Sequence, residues 1–234
     1  SAINQKFRRI LVSILFFFTN FSMVRLLSES YTTTKRGNFD IKEFIPIVKN
    51  RIILQASLAA FALMVSNGTL AFALPLNVEE IGLNSDITGM LLSVFGIVAL
   101  IIFLTPLNRL YDRFSPQQLI ISGLILIGLA LIILNMFLSF SSNIVAMVIY
   151  GFGFALIFPS MNRIVADASQ KVDRGKAYGV FYAFFSLGVV AGSFISGVVA
   201  ELIGLPFLVS ALIMLATAIA IPLIAKNKHT EKSR

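Results

Sequence analysis

Acid–base, nucleophilic or metal chemistry needs ionisable groups that converge, and in this chain they are few and thinly spread. There is no cysteine, and the single histidine, His229, lies in a charged tail. The ionisable residues whose spacing invites attention are Arg109, Asp112 and Arg113, within PLNRLYDRFSPQQ at 106–118, then Arg163 with Asp167, and Arg174. One carboxylate between guanidinium groups suits ion pairing and charge-assisted hydrogen bonding rather than catalysis. Arg163 and Asp167 are four apart and pair if one helix carries both. We expect no catalytic residue, no metal site and no cofactor. A second set of polar groups lies inside apolar runs: Gln55, Ser66, Asn67, Tyr150, Tyr182 and Ser186, with Phe154 among them. All are neutral, so they either contact a small-molecule substrate or bond neighbouring helices to one another.

The elements that must position these groups are set by composition. Of 234 residues, 57% are hydrophobic and 13% charged, and the mean hydropathy is +0.90. That balance belongs to a membrane protein. The net charge of +8 does not indicate a nucleic-acid partner, because the basic residues sit between apolar runs instead of clustering on a solvated face. A helix needs roughly 20 apolar residues to cross the hydrocarbon core. Seven stretches meet or approach this: Arg9–Leu27, Ile52–Leu76, Ile87–Leu107, Leu119–Phe140, Ile144–Asn162, Tyr178–Ala200 and Leu205–Ala225. Barrel strands would alternate with period 2 over about 10 residues, whereas these runs are continuously apolar. The segment around residues 6–18 has the charge and apolar run of a secretory leader but no small-residue cleavage site after it. Since residue 1 is Ser rather than Met, we expect it to be a cut or processed point in a longer chain.

Cytoplasmic loops are enriched in Lys and Arg. Lys35, Arg36, Lys42, Lys49 and Arg51 follow the first run, Arg109 and Arg113 the third, Arg163, Lys171, Arg174 and Lys176 the fifth, and Lys226, Lys228, Lys232 and Arg234 the last. The alternate loops, at 77–86, 141–143 and 201–204, contain none. The C-terminus is therefore expected in the cytoplasm and the N-terminus outside, with only Lys6, Arg8 and Arg9 in disagreement. This gives a transmembrane helix at 1–28, a cytoplasmic linker at 29–51, six helices over 52–225 and a cytoplasmic tail at 226–234.

Residues on one helical face recur every three to four positions. Gln55, Ala59, Ala62, Ser66, Thr69 and Ala73 make a small and polar stripe on the second run. Tyr178, Tyr182, Ser186, Val189, Ser193 and Ser196 make a polar-aromatic one on the sixth. Both stripes are expected to look inward, either lining a cavity or packing helix on helix. Gly188, Gly192 and Ser196, with Gly197 beside them, and Gly151 with Ala155 have the small-xxx-small spacing that lets backbones approach. Pro159 predicts a kink, since proline removes a backbone hydrogen bond and crowds the preceding turn.

Three stretches together resemble the C-terminal half, helices six to twelve, of a major facilitator superfamily transporter. NRLYDRFS at 108–115 is similar to the family's cytoplasmic signature, with Asp112 and Arg113 matching, Asn108 and Ser115 in place of its glycines, and Pro116 and Gln117 in place of its basic pair. GFGFALIFP at 151–159 resembles the tenth helix, and RGKAYG at 174–179 running into FYAFFSLGVVAGSFISG resembles the eleventh. The resemblance implies an all-α integral membrane fold, a six-helix transporter half-bundle preceded by one extra transmembrane helix. It further implies alternating access, with substrate bound between this half and an N-terminal six-helix half absent from the chain.

On that reading Gln55, Ser66, Asn67, Tyr150, Phe154, Tyr182 and Ser186 are substrate contacts. Arg109, Asp112, Arg113, Arg163, Asp167 and Arg174 form a cytoplasmic gate in which Asp112 accepts from a helix N-terminus of the other half. The alternative for the charged residues is topological anchoring alone. No carboxylate lies deep in a run, so any coupling acid is expected in the missing half, and a neutral lining favours efflux of a small amphipathic compound. A seven-helix receptor and a non-transporting partner subunit remain as alternatives. A membrane-embedded enzyme is disfavoured by the missing nucleophiles and ligands.

Overall fold

The computed structural model describes residues 44–105 and 109–231. The expected first span, Arg9–Leu27, and most of the 29–51 linker lie outside the described residues. All of the described residues belong to one compact unit, Ile41–Arg234.

They form helices joined by short turns: α1 (Ile45–Lys49), α2 (Arg51–Glu80), α3 (Asp86–Leu104), α4 (Leu110–Arg113), α5 (Pro116–Met136), α6 (Phe140–Ala168), α7 (Arg174–Leu202) and α8 (Pro206–Glu231). Six of them, α2, α3, α5, α6, α7 and α8, are long and apolar enough to cross a membrane. The chain is an all-α, multi-pass membrane protein. Three of the six, α2, α6 and α7, overrun the expected apolar runs at both ends and α8 does so at its C-terminal end, whereas α3 and α5 start earlier and stop short of them at Leu104 and Met136. α5 starts at Pro116, three residues before the apolar run, where Ser115 accepts from the Gln118 amide at 3.3 Å and Gln118 Oε1 accepts from the Ser115 amide at 3.1 Å. α6 continues past Asn162 to Ala168. α2 and α7 are followed by Gly82 and Gly204 at φ 75° and 72°, a conformation that side chains with a Cβ resist.

α2 is the centre of the bundle, packed against α7, α8 and α6. Of its most apolar window 72% is buried, against 22% for α3 and 17% for α7. The expected stripe on α2 is buried throughout, but so are Leu63, Met64 and Val65, so this helix is covered on nearly all sides and not on one face. On α7 the expectation needs correction. The packed face is Ala177, Phe181, Gly188, Gly192 and Ser196, while Tyr182, Ser186 and Val189 are exposed. The reason is steric: glycines let α7 press its backbone onto α2, and that contact dictates the rotation of the helix.

A Cβ added at Gly188 would fall 2.5 Å from the Phe61 carbonyl oxygen, one at Gly192 would collide with the Val65 carbonyl, and one at Gly68 would fall 2.5 Å from the Val189 carbonyl. Ser196 Oγ donates to Thr69 Oγ1 at 2.8 Å, and Thr69 donates in turn to the Val65 carbonyl at 3.0 Å. Gly151 admits α3, since its Cβ would lie 2.7 Å from the Phe95 carbonyl. A further crossing, Gly123 on α5 against Gly153 on α6, has the same character, with a Cβ at Gly123 reaching 2.6 Å from the Gly153 carbonyl. Gly197 differs, because its Cβ would meet only the Phe72 ring at 3.7 Å.

Gly192→Ala is therefore expected to destabilise the bundle by about 1–3 kcal/mol through overpacking. Gly197→Ala should stay within about 0.5 kcal/mol. Thermal unfolding of the purified variants in detergent checks both.

Candidate functional site

The neutral candidates separate by burial. Ser66 on α2 and Tyr150 on α6 are fully buried with their oxygens 2.7 Å apart. Ser66 Oγ spends its one proton on the Leu63 carbonyl at 2.7 Å, so the Tyr150 hydroxyl is the donor between them. Gln55, 2% exposed, donates to the Ile221 carbonyl at 3.3 Å and accepts from Gln117 Nε2 at 2.8 Å, tying α2 to α8 and α5. Half-buried Asn67 bonds back to the Leu63 carbonyl within its own helix at 3.4 Å. The bonds of Ser66, Tyr150 and Gln55 hold helices together.

Phe154, half-buried, belongs to an aromatic run that the sequence did not single out as a unit. The Phe95 ring meets Tyr150 edge-on at 5.4 Å and Phe154 at 5.7 Å, and Phe154 stacks on Phe158 at 5.5 Å. On α7, Tyr182 is 47% exposed and stacks on Tyr178 at 6.1 Å, and Ser186 one turn on is also exposed. Tyr178 donates to the Asn162 carbonyl at 3.1 Å, which joins the start of α7 to the last turns of α6. Tyr182 and Ser186 thus lie on an open face, while Ser66, Tyr150 and Gln55 lie within the packed half.

At the end of the bundle that carries the basic residues, the 109–118 segment is fastened in several places. Tyr111 on α4 donates to the Ala155 carbonyl of α6 at 2.7 Å. In a regular helix that carbonyl would accept the amide of residue 159, and Pro159 has none. Burial pushes the Tyr111 phenol above its ordinary value, so it stays a donor across the neutral range. Arg163 Nη1 donates to the Tyr111 carbonyl at 3.0 Å, and Arg163 lies 3.6 Å from Asp167, one turn on in the same helix. Arg174 reaches back to the Ala166 carbonyl at 3.2 Å, satisfying the end of α6. Arg113 sits 6.0 Å from the centre of the Phe114 ring. Arg109 and Asp112 are exposed, and Asp112 makes no ion pair with a described residue. The expected charge cluster is therefore distributed: Arg163 serves Tyr111 and Asp167, and Asp112 faces outward.

The residues that sequence reasoning passed over are Tyr111, Gln117, Phe95 and the pair Asn77–Asn143. Asn143 Nδ2 donates to Asn77 Oδ1 at 2.7 Å and Asn77 donates to the Leu134 carbonyl at 3.3 Å, closing the opposite end of the bundle. Two amides near the ends of apolar runs were the available signal. For Tyr111 the signal was weaker: a phenol inside a charged turn, in a chain where Pro75, Pro159 and Pro222 each leave a helix carbonyl without its amide.

Apolar spans held by glycine crossings and internal hydroxyl bonds, with one polar-aromatic face left open, define a multi-pass α-helical membrane bundle. The family model described as Major Facilitator Superfamily matches residues 56–234, and the chain belongs to that family. It is 27% identical over 176 residues to the quinolone resistance protein NorA of Staphylococcus aureus (strain N315), covering 74% of this chain and 45% of that protein. It is 25% identical over 215 residues to the multidrug resistance protein MdtG of Escherichia coli O9:H4 (strain HS), covering 89% and 52%. The chain spans about half the length of these curated relatives.

Ser66→Ala is expected to strand the buried Tyr150 hydroxyl and cost about 1–3 kcal/mol. Tyr182→Ala, on the open face, should leave stability within about 0.5 kcal/mol. Equilibrium or thermal unfolding of the two variants side by side distinguishes the packed group from the open one.

Proposed function

We propose that this chain is the C-terminal half of a membrane carrier that exports small amphipathic compounds by alternating access, using an ion gradient. The observation that carries the reading is the open face of α7: Tyr182 and Ser186 are exposed on a helix whose apolar window is only 17% buried, and a polar-aromatic stripe facing lipid alone would be wasted. Its occupants are then an N-terminal six-helix half and, between the halves, the substrate, contacted by Tyr182, Ser186, Asn67 and the Phe154 ring. Ser66, Tyr150 and Gln55 support that surface from behind. A lining without a carboxylate deep in the spans favours a neutral or aromatic compound over a phosphate or sugar acid. The names of the two relatives, quinolone and multidrug resistance, agree in kind.

The basic end of the bundle is the cytoplasmic end, by the distribution of Lys and Arg. There Asp112, facing outward, can accept from the N-terminal turn of a helix in the other half, where the macrodipole favours a carboxylate. Arg109 and Arg113 flank it.

The test uses the full-length protein in inverted membrane vesicles with a panel of amphipathic dyes and antibacterials. Energised uptake that stops when the proton gradient is collapsed supports the reading, and no gradient-dependent movement of any compound sinks it. Tyr182→Ala should change apparent affinity for an aromatic substrate by about two- to tenfold, the size of one lost aromatic contact. Asp112→Asn should abolish transport with insertion and expression intact, whereas near-normal transport reduces the segment to a topological anchor.

A further inference from the structure

We propose that Tyr111 is a positioning residue that latches a hinge in α6, its phenol replacing the amide that Pro159 lacks, so that α4 and the last turns of α6 move as one body. Pro159 lies inside α6, and the carbonyls around it draw donors from outside the backbone ladder. Ser160 Oγ donates to the Leu156 carbonyl at 2.6 Å and Asn162 Nδ2 to the Phe158 carbonyl at 2.8 Å. Together with Tyr111 on Ala155, three carbonyls of this region take side-chain donors. Of these donors only Tyr111 comes from another helix. Ala155 is fully buried with Tyr111 docked, so the phenol is the donor that its carbonyl has in place of the missing amide.

The anchoring is reciprocal. Arg163, one turn beyond Pro159, holds the Tyr111 carbonyl, so α4 is gripped from both sides of that proline. Beside the latch lies a void of about 50 Å³ lined by Tyr111, Pro116, Leu119, Pro159, Ser160 and Arg163. Incomplete packing here leaves the turn room to change its angle, whereas the glycine crossings elsewhere on α6 do not. Undocking of α4 therefore exposes the Ala155 carbonyl, and docking covers it. Two states of the hinge follow from one hydrogen bond. The functional part of this inference rests on the carrier reading above, since the segment that docks is the one that holds Asp112.

The experiment is a double-mutant cycle in the full-length protein: Tyr111→Phe, Pro159→Ala and both together, read by thermal unfolding and by transport turnover. Tyr111→Phe keeps the ring and removes only the donor. With Pro159 present it should shift the unfolding equilibrium by about tenfold and lower turnover while apparent substrate affinity holds. With Pro159→Ala the restored amide serves the Ala155 carbonyl, and the effect of Tyr111→Phe should largely vanish in both readouts. Equal effects in the two backgrounds, or no effect with Pro159 present, overturn the latch. Coupling in stability without coupling in turnover keeps the bond and overturns the hinge role. Should Pro159→Ala fail to insert, Pro159→Leu supplies the same amide. The stability arm needs no substrate, so its failure is separate from failure of the carrier reading.

Discussion

A carbonyl or amide left without a partner in hydrocarbon costs several kcal/mol, and this constraint orders the whole bundle. It makes every described span a helix, because a helix satisfies its own backbone. It also makes each exception visible. Pro159 removes one amide from α6, and the structure answers with the Tyr111 phenol at 2.7 Å from the Ala155 carbonyl. Pro75 in α2 and Pro222 in α8 remove an amide each as well, and helix ends are a further exception, answered by Ser115 and Gln118 at the start of α5 and by Arg174 at the end of α6.

Once the backbones are satisfied, lipid offers no hydrophobic reason for helices to associate, and close packing must supply it. Here glycine supplies it. Gly68, Gly188 and Gly192 bring the backbones of α2 and α7 together, Gly123 and Gly153 do so for α5 and α6, and Gly151 admits α3. The hydroxyl and amide bonds then act as register pins, with Ser66 to Tyr150 at mid-bundle and Asn77 to Asn143 at one end. The result is unequal cover. α2 is enclosed, while α3 and α7 keep most of their surface open. That inequality is what separates polar residues that build the half from polar residues left for a ligand or a partner.

The membrane class and the six described spans were legible in the sequence because hydropathy is a property of segments and needs no partner to read. Family membership was legible too, through Asp112 and Arg113, the glycine-rich run at 151–159, and the run beginning at Arg174. The small-xxx-small pattern at Gly188 and Gly192 located a true crossing, since that pattern is itself a steric statement. Gly197, one residue past Ser196 and as small as the others, takes no close part, because it stands off the packed face.

The sequence by itself determined which described segments are long and apolar enough to enter the bilayer, where charge is excluded and where proline removes a backbone amide. Only the tertiary structure decided what each polar side chain is for. Ser66 and Ser186 have the same chemistry, yet one is locked to Tyr150 and the other lies open, because the rotation of α7 is set by glycine contacts with α2 and not by its own polarity. Tyr111 and Ala155 are 44 residues apart, and their bond exists because α4 folds back on the turn of α6 that proline leaves incomplete. Hydrophobic pattern acts along a chain, whereas hydrogen-bond partners and helix rotations are settled by what lies alongside.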